Sequence, residues 1–188
     1  MVAVRPVTCR KCAAGSFFQD GPAAVGLSSH CACRACGNGT FVPEAGVKDS
    51  GKCQRCPLGT DPLLRAGYRA CPCLPGYFRR SRFGPCESCA GETGIECAND
   101  TRILQPGYWW TFSGNESRAR YRSFVQQLAI EDAGALTDLN GSVPSAYKCL
   151  SDAACLGGQE SDCSTGYTGV LCSECTAGHY EWFGVCKT

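Results

Sequence analysis

Histidine is almost absent from this chain of 188 residues, which contains only His30 and His179. Neither lies near a serine or cysteine in a nucleophile context, and both are interpreted as surface residues. The sequence also contains no Walker loop, dinucleotide-binding fingerprint, zinc-protease motif or EF-hand loop. Because no group of residues indicates catalysis, a cofactor or a metal site, we expect a non-enzymatic protein that has none of them.

Net charge and long apolar runs are scarce as well. The net charge of +1 creates no field that would attract nucleic acid or an acidic membrane surface. No apolar run is long enough to span a bilayer, and the residues before Cys9 are too few for a signal peptide. We therefore expect no nucleic-acid partner and no membrane span in this chain, and we interpret it as a mature or excised piece of a longer protein.

Cysteine, in contrast, is abundant. The chain has 18 Cys, 23 Gly and 10 Pro, a composition typical of secreted disulfide scaffolds in which small modules replace one large core. The cysteines alone leave an alternative open, because Cys9-x-x-Cys12 and Cys33-x-x-Cys36 also have the spacing of a zinc ribbon.

The asparagines favour the disulfide interpretation. The chain has four, and every one begins an N-glycosylation acceptor: Asn38, Asn99, Asn115 and Asn140. This pattern predicts the secretory pathway, an extracellular or cell-surface location and surface positions that carry N-linked glycans. In an oxidising compartment the even number of cysteines predicts that all of them are paired.

A short unit recurs along the chain, in which a cysteine is followed three residues later by glycine. We expect each glycine to adopt a positive φ in a tight turn, so that the aromatic after it covers the bridge. The five copies are "CAAGSFF" from Cys12, "CGNGTFV" from Cys36, "CPLGTDP" from Cys56, "CLPGYFR" from Cys73 and "CTAGHYE" from Cys175.

After four of these copies, and again after Cys89, the chain runs on to another cysteine at steadily shrinking intervals, which predicts a ladder of local bridges. The predicted pairs are Cys12–Cys31, Cys36–Cys53, Cys56–Cys71, Cys73–Cys86 and Cys89–Cys97, with Cys9–Cys33 by elimination.

Residues 9–97, with their Cys-x-x-Cys-x-x-Gly-[Ser/Thr]-[Phe/Tyr] pattern, resemble tandem ephrin-receptor-like cysteine-rich repeats, relatives of those in tumour-necrosis-factor and growth-factor receptors. The sequence departs from this pattern at two places. Cys71-Pro-Cys73 has one residue fewer between its cysteines than Cys-x-x-Cys, and the copy at Cys89 has no aromatic.

Residues 149–186 contain "CSTGYTGVLCSECTAGHYEWFGVC", which is similar to the second half of a laminin-type EGF-like module. The resemblance implies the bridges Cys163–Cys172 and Cys175–Cys186, and it leaves Cys149–Cys155.

Between these parts lies a cysteine-free segment, residues 98–148, which we call the insert. The spacing of Tyr121, Phe124, Val125 and Leu128 predicts one helix over about 118–133, capped by Ser117 and stopped at Gly134. Upstream, the aromatics of "ILQPGYWWTF" are expected to cover the helix and neighbouring bridges.

Two surface contacts are considered as alternatives. Tyr108, Trp109 and Trp110 could instead bind a protein partner or a sugar. The run Arg79-Arg80-Ser81-Arg82 could be a basic protease site or a heparin contact, but a solvated hairpin tip is preferred.

Together these patterns predict a small disulfide-rich fold: tandem cysteine-rich modules of short β-hairpins in an elongated array, with one helical insert. The preferred function is structural or adhesive, as a rod segment of a surface filament, matrix protein or receptor stalk, with protein partners or self-association through its modules. The main alternative is a ligand-binding receptor ectodomain, which an exposed Trp109 or Trp110 would favour. A secreted inhibitor or toxin is a third.

Overall fold

The computed structural model describes residues 11–15, 17–19, 33–128, 130 and 137–188. Glycines and half-cystines interrupt this chain every few residues, so its strands are only two to four residues long and pair locally. The described residues form a small disulfide-rich hairpin fold with seven two-stranded antiparallel sheets and one α-helix. The hairpins are β1 (Phe17–Gln19) with β2 (Cys33–Ala35), β3 (Thr40–Phe41) with β4 (Gln54–Arg55), β5 (Tyr77–Arg79) with β6 (Cys86–Ser88), β7 (Ile95–Ala98) with β8 (Thr101–Leu104), β9 (Tyr108–Thr111) with β10 (Ser145–Lys148), β11 (Tyr167–Thr168) with β12 (Glu174–Cys175), and β13 (Tyr180–Trp182) with β14 (Val185–Lys187).

Eight disulfides lie among the described residues, and each closes a short loop. We call the segments closed by Cys36–Cys53, Cys56–Cys71, Cys73–Cys86 and Cys89–Cys97 the second, third, fourth and fifth modules, and residues 149–186 the final module. The final module contains Cys149–Cys155, Cys163–Cys172 and Cys175–Cys186. These seven bridges join the cysteines that the sequence pairs.

The first bridge differs from the predicted one, because Cys12 pairs with Cys33. Cys12–Cys31 and Cys9–Cys33 are therefore wrong. The register of the β1–β2 hairpin explains the difference: it places Cys33 opposite Gln19 and Ala35 opposite Phe17. Since Cys12 precedes β1, it lies at the open end of the hairpin, and the later cysteine is the one within its reach. Cys9 and Cys31 lie outside the described residues.

The glycines of all five repeat copies have positive φ, from +69° to +117°. At Gly59 a glycine is required for a second reason. A Cβ there would lie 2.7 Å from the carbonyl oxygen of Cys86, so the missing side chain lets the third module approach the backbone of the fourth. Gly76 has the same kind of turn with no neighbour within 4 Å of the Cβ position.

The helix α1 spans Asn115–Gln127, three residues earlier at its start and six earlier at its end than predicted. Gly114 occupies the N-cap position without a side-chain hydrogen bond, and Ser117 lies inside the first turn. The predicted stop at Gly134 lies outside the described residues. The apolar face forms as the spacing predicts, because Tyr121, Phe124 and Leu128 are buried together.

The insert is continuous with the modules on either side of it. Its first strand, β8, pairs with β7 of the fifth module, so the boundary at residue 98 falls inside a hairpin. Its second strand, β9, then pairs with its last strand, β10. The helix lies in the chain between these two strands and packs on Leu139.

Within the described ranges, apolar residues gather in four small clusters instead of one core. Two of these clusters lie at module junctions. Phe41 of the second module packs on Ala66 and Cys71 of the third. Phe78 of the fourth module packs on the fifth and on strands β8 and β9, through residues that include Cys89, Ile95, Cys97, Leu104 and Trp110. The 13-residue helix is too short to cross a membrane. The described part of the chain contains no other helix that is long and apolar enough to do so.

Candidate functional site

The predicted glycan acceptors all lie at the surface. Asn38, Asn99, Asn115 and Asn140 are exposed. Asn99 occupies the tip of the β7–β8 hairpin, where it and Asp100 both have positive φ, as a two-residue type I′ turn requires. Each asparagine is therefore placed where a glycan could extend into solvent, and occupancy stays a prediction.

The aromatic strand β9 is not an open binding surface. Trp110 is 2% exposed and packs with Phe78 in the fourth-to-fifth module junction. Trp109 points to the opposite face of the strand and is half-buried against the bridge Cys149–Cys155. Tyr108 is half-buried against the same cluster as Trp110. Strand β9 thus lies between the bridge Cys89–Cys97 on one face and bridges of the final module on the other, and the partner contact suggested for these aromatics is not supported.

The basic run at residues 79–82 is not a solvated tip. Arg79 and Arg82 are 2% and 5% exposed. The guanidinium of Arg79 donates to the carbonyls of Cys71 and Arg82, and the Nε of Arg82 donates to the carbonyl of Tyr68. A buried arginine cannot serve as a protease recognition residue or a heparin contact, so the exposed roles considered for both are wrong.

One buried carboxylate pairs with Arg79 and with a second arginine outside this run. Asp100 lies in the turn of the β7–β8 hairpin and forms ion pairs with Arg69 and Arg79, the latter at 3.4 Å between Oδ2 and Nε. Its Oδ1 accepts a hydrogen bond from the backbone amide of Cys73. Burial lowers the pKa of Arg79 to about 10, against the opposing effect of Asp100, so Arg79 remains charged at neutral pH.

The same arginine run reaches the insert. The backbone amide of Arg82 donates to the carbonyl of Thr137 at 2.6 Å, and its guanidinium donates to that of Ile130. Arg80 donates from its side chain to the carbonyl of Gly141 at 2.8 Å. The fourth module is therefore hydrogen-bonded to the insert on one side and to the third module on the other.

Arg102 makes a second connection of this kind. Its guanidinium lies over the rings of Phe78 and Trp110, 5.1 and 5.6 Å from their centroids. It also donates to the carbonyl of Pro144 and pairs with Glu92. Burial lowers the pKa of Arg102, and an aromatic cage of this kind favours a cation. We call Arg69, Arg79, Arg82, Arg102 and Asp100 the arginine clamp.

An exposed aromatic group occurs in the final module. Tyr180 and Trp182 are 56% and 54% exposed on β13, and Phe183 in the turn that follows is 90% exposed. The rings of Trp182 and Phe183 meet edge to face with centroids 5.3 Å apart. The expectation that the aromatic after each repeat glycine covers a bridge therefore fails at Tyr180. Sequence reasoning missed this group because it placed the candidate contact on the insert.

Of the two histidines, His179 lies in the part of the chain that the structure describes. The ring of His179 lies 3.1 Å from the hydroxyl of Thr176 within its own turn, and His30 falls outside the described residues. Across the described ranges, no three His, Cys, Asp or Glu side chains are placed to hold a metal ion.

Comparisons with known proteins give partial matches. The chain is 37% identical over 87 residues to human ephrin type-B receptor 4, a match that covers 45% of this chain and 8% of the receptor. Residues 146–188 match a family described as a domain of unknown function, DUF7630. No solved structure matches the chain. The similarity, the bridges and the short hairpins together fit a cysteine-rich repeat of receptor-like type.

Proposed function

We propose that this chain is a non-enzymatic extracellular structural module, a glycosylated rod segment of a surface filament, matrix protein or receptor stalk. The arginine clamp is the observation that carries this proposal. Local bridges stiffen each module internally but leave the junctions free to bend. Asp100 of the insert forms ion pairs with Arg69 of the third module and Arg79 of the fourth, and a buried pair resists separation because a charge left alone in the interior would be desolvated without a partner.

The similarity to a receptor supports the extracellular location, since disulfide-rich modules require an oxidising compartment. We assign the final module to the laminin-type EGF-like class on its three local bridges and its Gly-Tyr-Thr-Gly turn. Its agreement in extent with the matched family supports a separate module there. Ligand binding through Tyr108–Trp110 is the weaker candidate, because that function needs an exposed tryptophan and Trp110 is buried.

Secretion and rigidity are tested on the same preparation. The chain is secreted from animal cells behind an added signal peptide, and its intact mass is measured before and after reduction and deglycosylation. We expect no free thiols and several glycans. More than two free thiols, or a stoichiometric metal ion, would contradict the extracellular assignment.

Rigidity is then measured as the distribution of distances between dyes placed on unnatural amino acids at the exposed positions 48 and 187. A stiff segment gives one narrow distribution, which should broaden in the Asp100→Asn variant. A broad distribution in the unmodified protein would exclude the rod.

A further inference from the structure

Two of the four sequons begin with the same dipeptide, an asparagine followed by a glycine: Asn38-Gly39 and Asn140-Gly141. Asparagine in this context deamidates readily, because glycine has no side chain that would hinder its backbone nitrogen from attacking the asparagine side chain. The structure surrounds the two dipeptides differently. The chain therefore contains its own comparison of what the fold does to this reaction.

The first dipeptide is held in place by the third module. The side-chain amide of Asn38 donates to the carbonyl of Leu63 at 2.9 Å. The backbone amide of Gly39 donates to the carbonyl of Leu64 at 3.1 Å. A Cβ at Gly39 would lie 2.6 Å from the carbonyl oxygen of Pro62, so another backbone packs directly against it. The nitrogen that would attack is thus engaged, and the side chain that it would attack is fixed.

The second dipeptide is open. Asn140 and Gly141 are both exposed, and no neighbouring atom lies within 4 Å of the Cβ position of Gly141. Among the residues that the structure describes, neither the side-chain amide of Asn140 nor the backbone amide of Gly141 has a hydrogen-bond partner. Both residues line a hollow beside the start of α1 that is open to solvent, so water reaches them.

A cation also polarises the peptide that joins these two residues. The guanidinium of Arg120 donates to the carbonyl oxygen of Asn140 at 2.8 Å. That oxygen and the backbone nitrogen of Gly141 belong to one peptide unit and are coupled by resonance. A cationic donor on the oxygen therefore stabilises the anion that forms when the nitrogen loses its proton. A second guanidinium, that of Arg80, donates to the following carbonyl, that of Gly141, also at 2.8 Å.

We propose that Asn140-Gly141 is a self-modifying site, at which Asn140 deamidates in chains that carry no glycan there and Arg120 accelerates the reaction. The deprotonated nitrogen of Gly141 attacks Cγ of Asn140 and forms a new carbon–nitrogen bond. The bond from Cγ to the side-chain nitrogen breaks, and ammonia leaves with the proton, which gives a cyclic succinimide. Water then opens the ring to aspartate or isoaspartate, and nothing is oxidised or reduced. A glycan prevents the reaction because the sugar is attached to the nitrogen that must leave.

The product alters the contact between the insert and the fourth module. Isoaspartate adds a methylene to the backbone before Gly141 and so displaces the carbonyl that Arg80 binds. The new carboxylate lies beside Arg120 and competes with the backbone carbonyl for its guanidinium. Deamidation therefore removes the sequon, adds a negative charge and weakens a connection of the insert.

Peptide mapping by mass spectrometry during incubation of the folded full chain tests the proposal. The secreted protein carries Ser142→Ala and Thr40→Val, which remove the two sequons and keep both dipeptides. Enzymatic removal of glycans is not suitable, because it converts asparagine into aspartate. We expect Asn140 to deamidate about tenfold faster than Asn38 or more in the folded protein, a modest difference in barrier. The two rates should be similar in the reduced, unfolded chain.

The role of Arg120 is tested in the Ser142→Ala background. Arg120→Gln should slow deamidation of Asn140 about fivefold or more, because the anionic nitrogen loses its cationic donor. Glu116→Gln is the matched control, since it breaks the same 2.6 Å ion pair but leaves Arg120 on the carbonyl, and it should not slow the reaction.

Two results would overturn the proposal: deamidation of Asn140 no faster than that of Asn38 in the folded chain, or equal rates in Arg120→Gln and Glu116→Gln. If Thr40→Val prevents secretion, the comparison of the Arg120→Gln and Glu116→Gln variants decides by itself, because it requires only Ser142→Ala.

Discussion

At the scale of single residues, Asp100 has the largest consequences in this chain. Its carboxylate contacts two guanidinium groups and one backbone amide of residues that lie between 21 and 31 positions earlier in the chain. The left-handed turn of Asn99 and Asp100 makes this geometry possible, because asparagine and aspartate tolerate that region better than other non-glycine residues. The same dipeptide therefore presents a glycan acceptor outward and an anion inward.

Asp100→Asn should destabilise the protein by about 2–4 kcal/mol, since it keeps the shape and the turn but leaves the buried Arg79 and the partly buried Arg69 without an anion. The free energy of unfolding is measured by denaturant titration with the bridges intact. Asp152→Asn is the matched control, because Asp152 pairs with Lys148 at 3.5 Å on the surface and should cost less than about 0.5 kcal/mol. If the two substitutions lowered the free energy of unfolding equally, the arginine clamp would not be a source of stability.

The four asparagines give a second prediction at this scale. Because Asn38, Asn99, Asn115 and Asn140 are exposed, we expect glycan at most of them in protein secreted from animal cells. Glycopeptide mapping measures occupancy at each site. Fewer than two occupied sites would undermine the secretory assignment, which rests mainly on these sequons.

At the scale of elements, the turn glycines decide how closely modules stack. Gly59 and Gly76 occupy equivalent positions in neighbouring repeats and have nearly the same φ, +77° and +80°. They differ in surroundings, since only the Cβ position of Gly59 meets the backbone of the next module. This pair separates the cost of the conformation from the cost of the contact.

Gly76→Ala should cost about 1–2 kcal/mol for its left-handed conformation alone. Gly59→Ala should cost about 1–3 kcal/mol more, because its methyl group must displace Cys86 and with it the fourth module. Thermal or denaturant unfolding of both variants measures the difference. If the two variants were equally stable, the junction between the third and fourth modules would accommodate the added methyl group without a loss of free energy.

The elements also show which parts of the fold could be predicted. The spacing of Tyr121, Phe124 and Leu128 gave the buried face of α1, but no local signal placed its start at Asn115, where the cap is a glycine. Regular intervals gave the four bridges from Cys36–Cys53 to Cys89–Cys97 because each is local, and the resemblance of residues 149–186 gave the three of the final module. Cys12–Cys33 was missed because two cysteines two residues apart compete for one partner, and only the strand register chooses between them.

The candidate site was harder to predict than the fold. Arg79 and Arg82 occupy a run that composition alone presents as solvated, and the anion of Arg79, Asp100, lies 21 residues further along the chain. Trp110 and Trp182 belong to equally aromatic stretches, yet one is buried and the other exposed. The difference depends on whether a neighbouring module covers the strand, and that is information about tertiary contacts.

At the scale of the whole molecule, stability comes from many small units. Four apolar clusters and eight local bridges replace one core among the described residues. In the chain-entropy model, a bridge that closes a loop of about 15 residues stabilises the folded state by roughly 3 kcal/mol. This contribution offsets the weak hydrophobic stabilisation of modules that each bury little area. Contacts such as Phe41 on Cys71 then join each module mainly to its neighbour.

This organisation predicts an elongated molecule. Units that contact mainly their neighbours in sequence extend along one direction, as in other repeat proteins, whereas a compact chain of this length would have a radius of gyration of about 16 Å. We expect small-angle scattering from the deglycosylated monomer to give a value roughly half again larger. The scattering is extrapolated to zero protein concentration, because any association would also raise the apparent size. A monomer near 16 Å would mean that the insert and the arginine clamp fold the modules back on one another, and the chain would then be a compact domain instead of a rod.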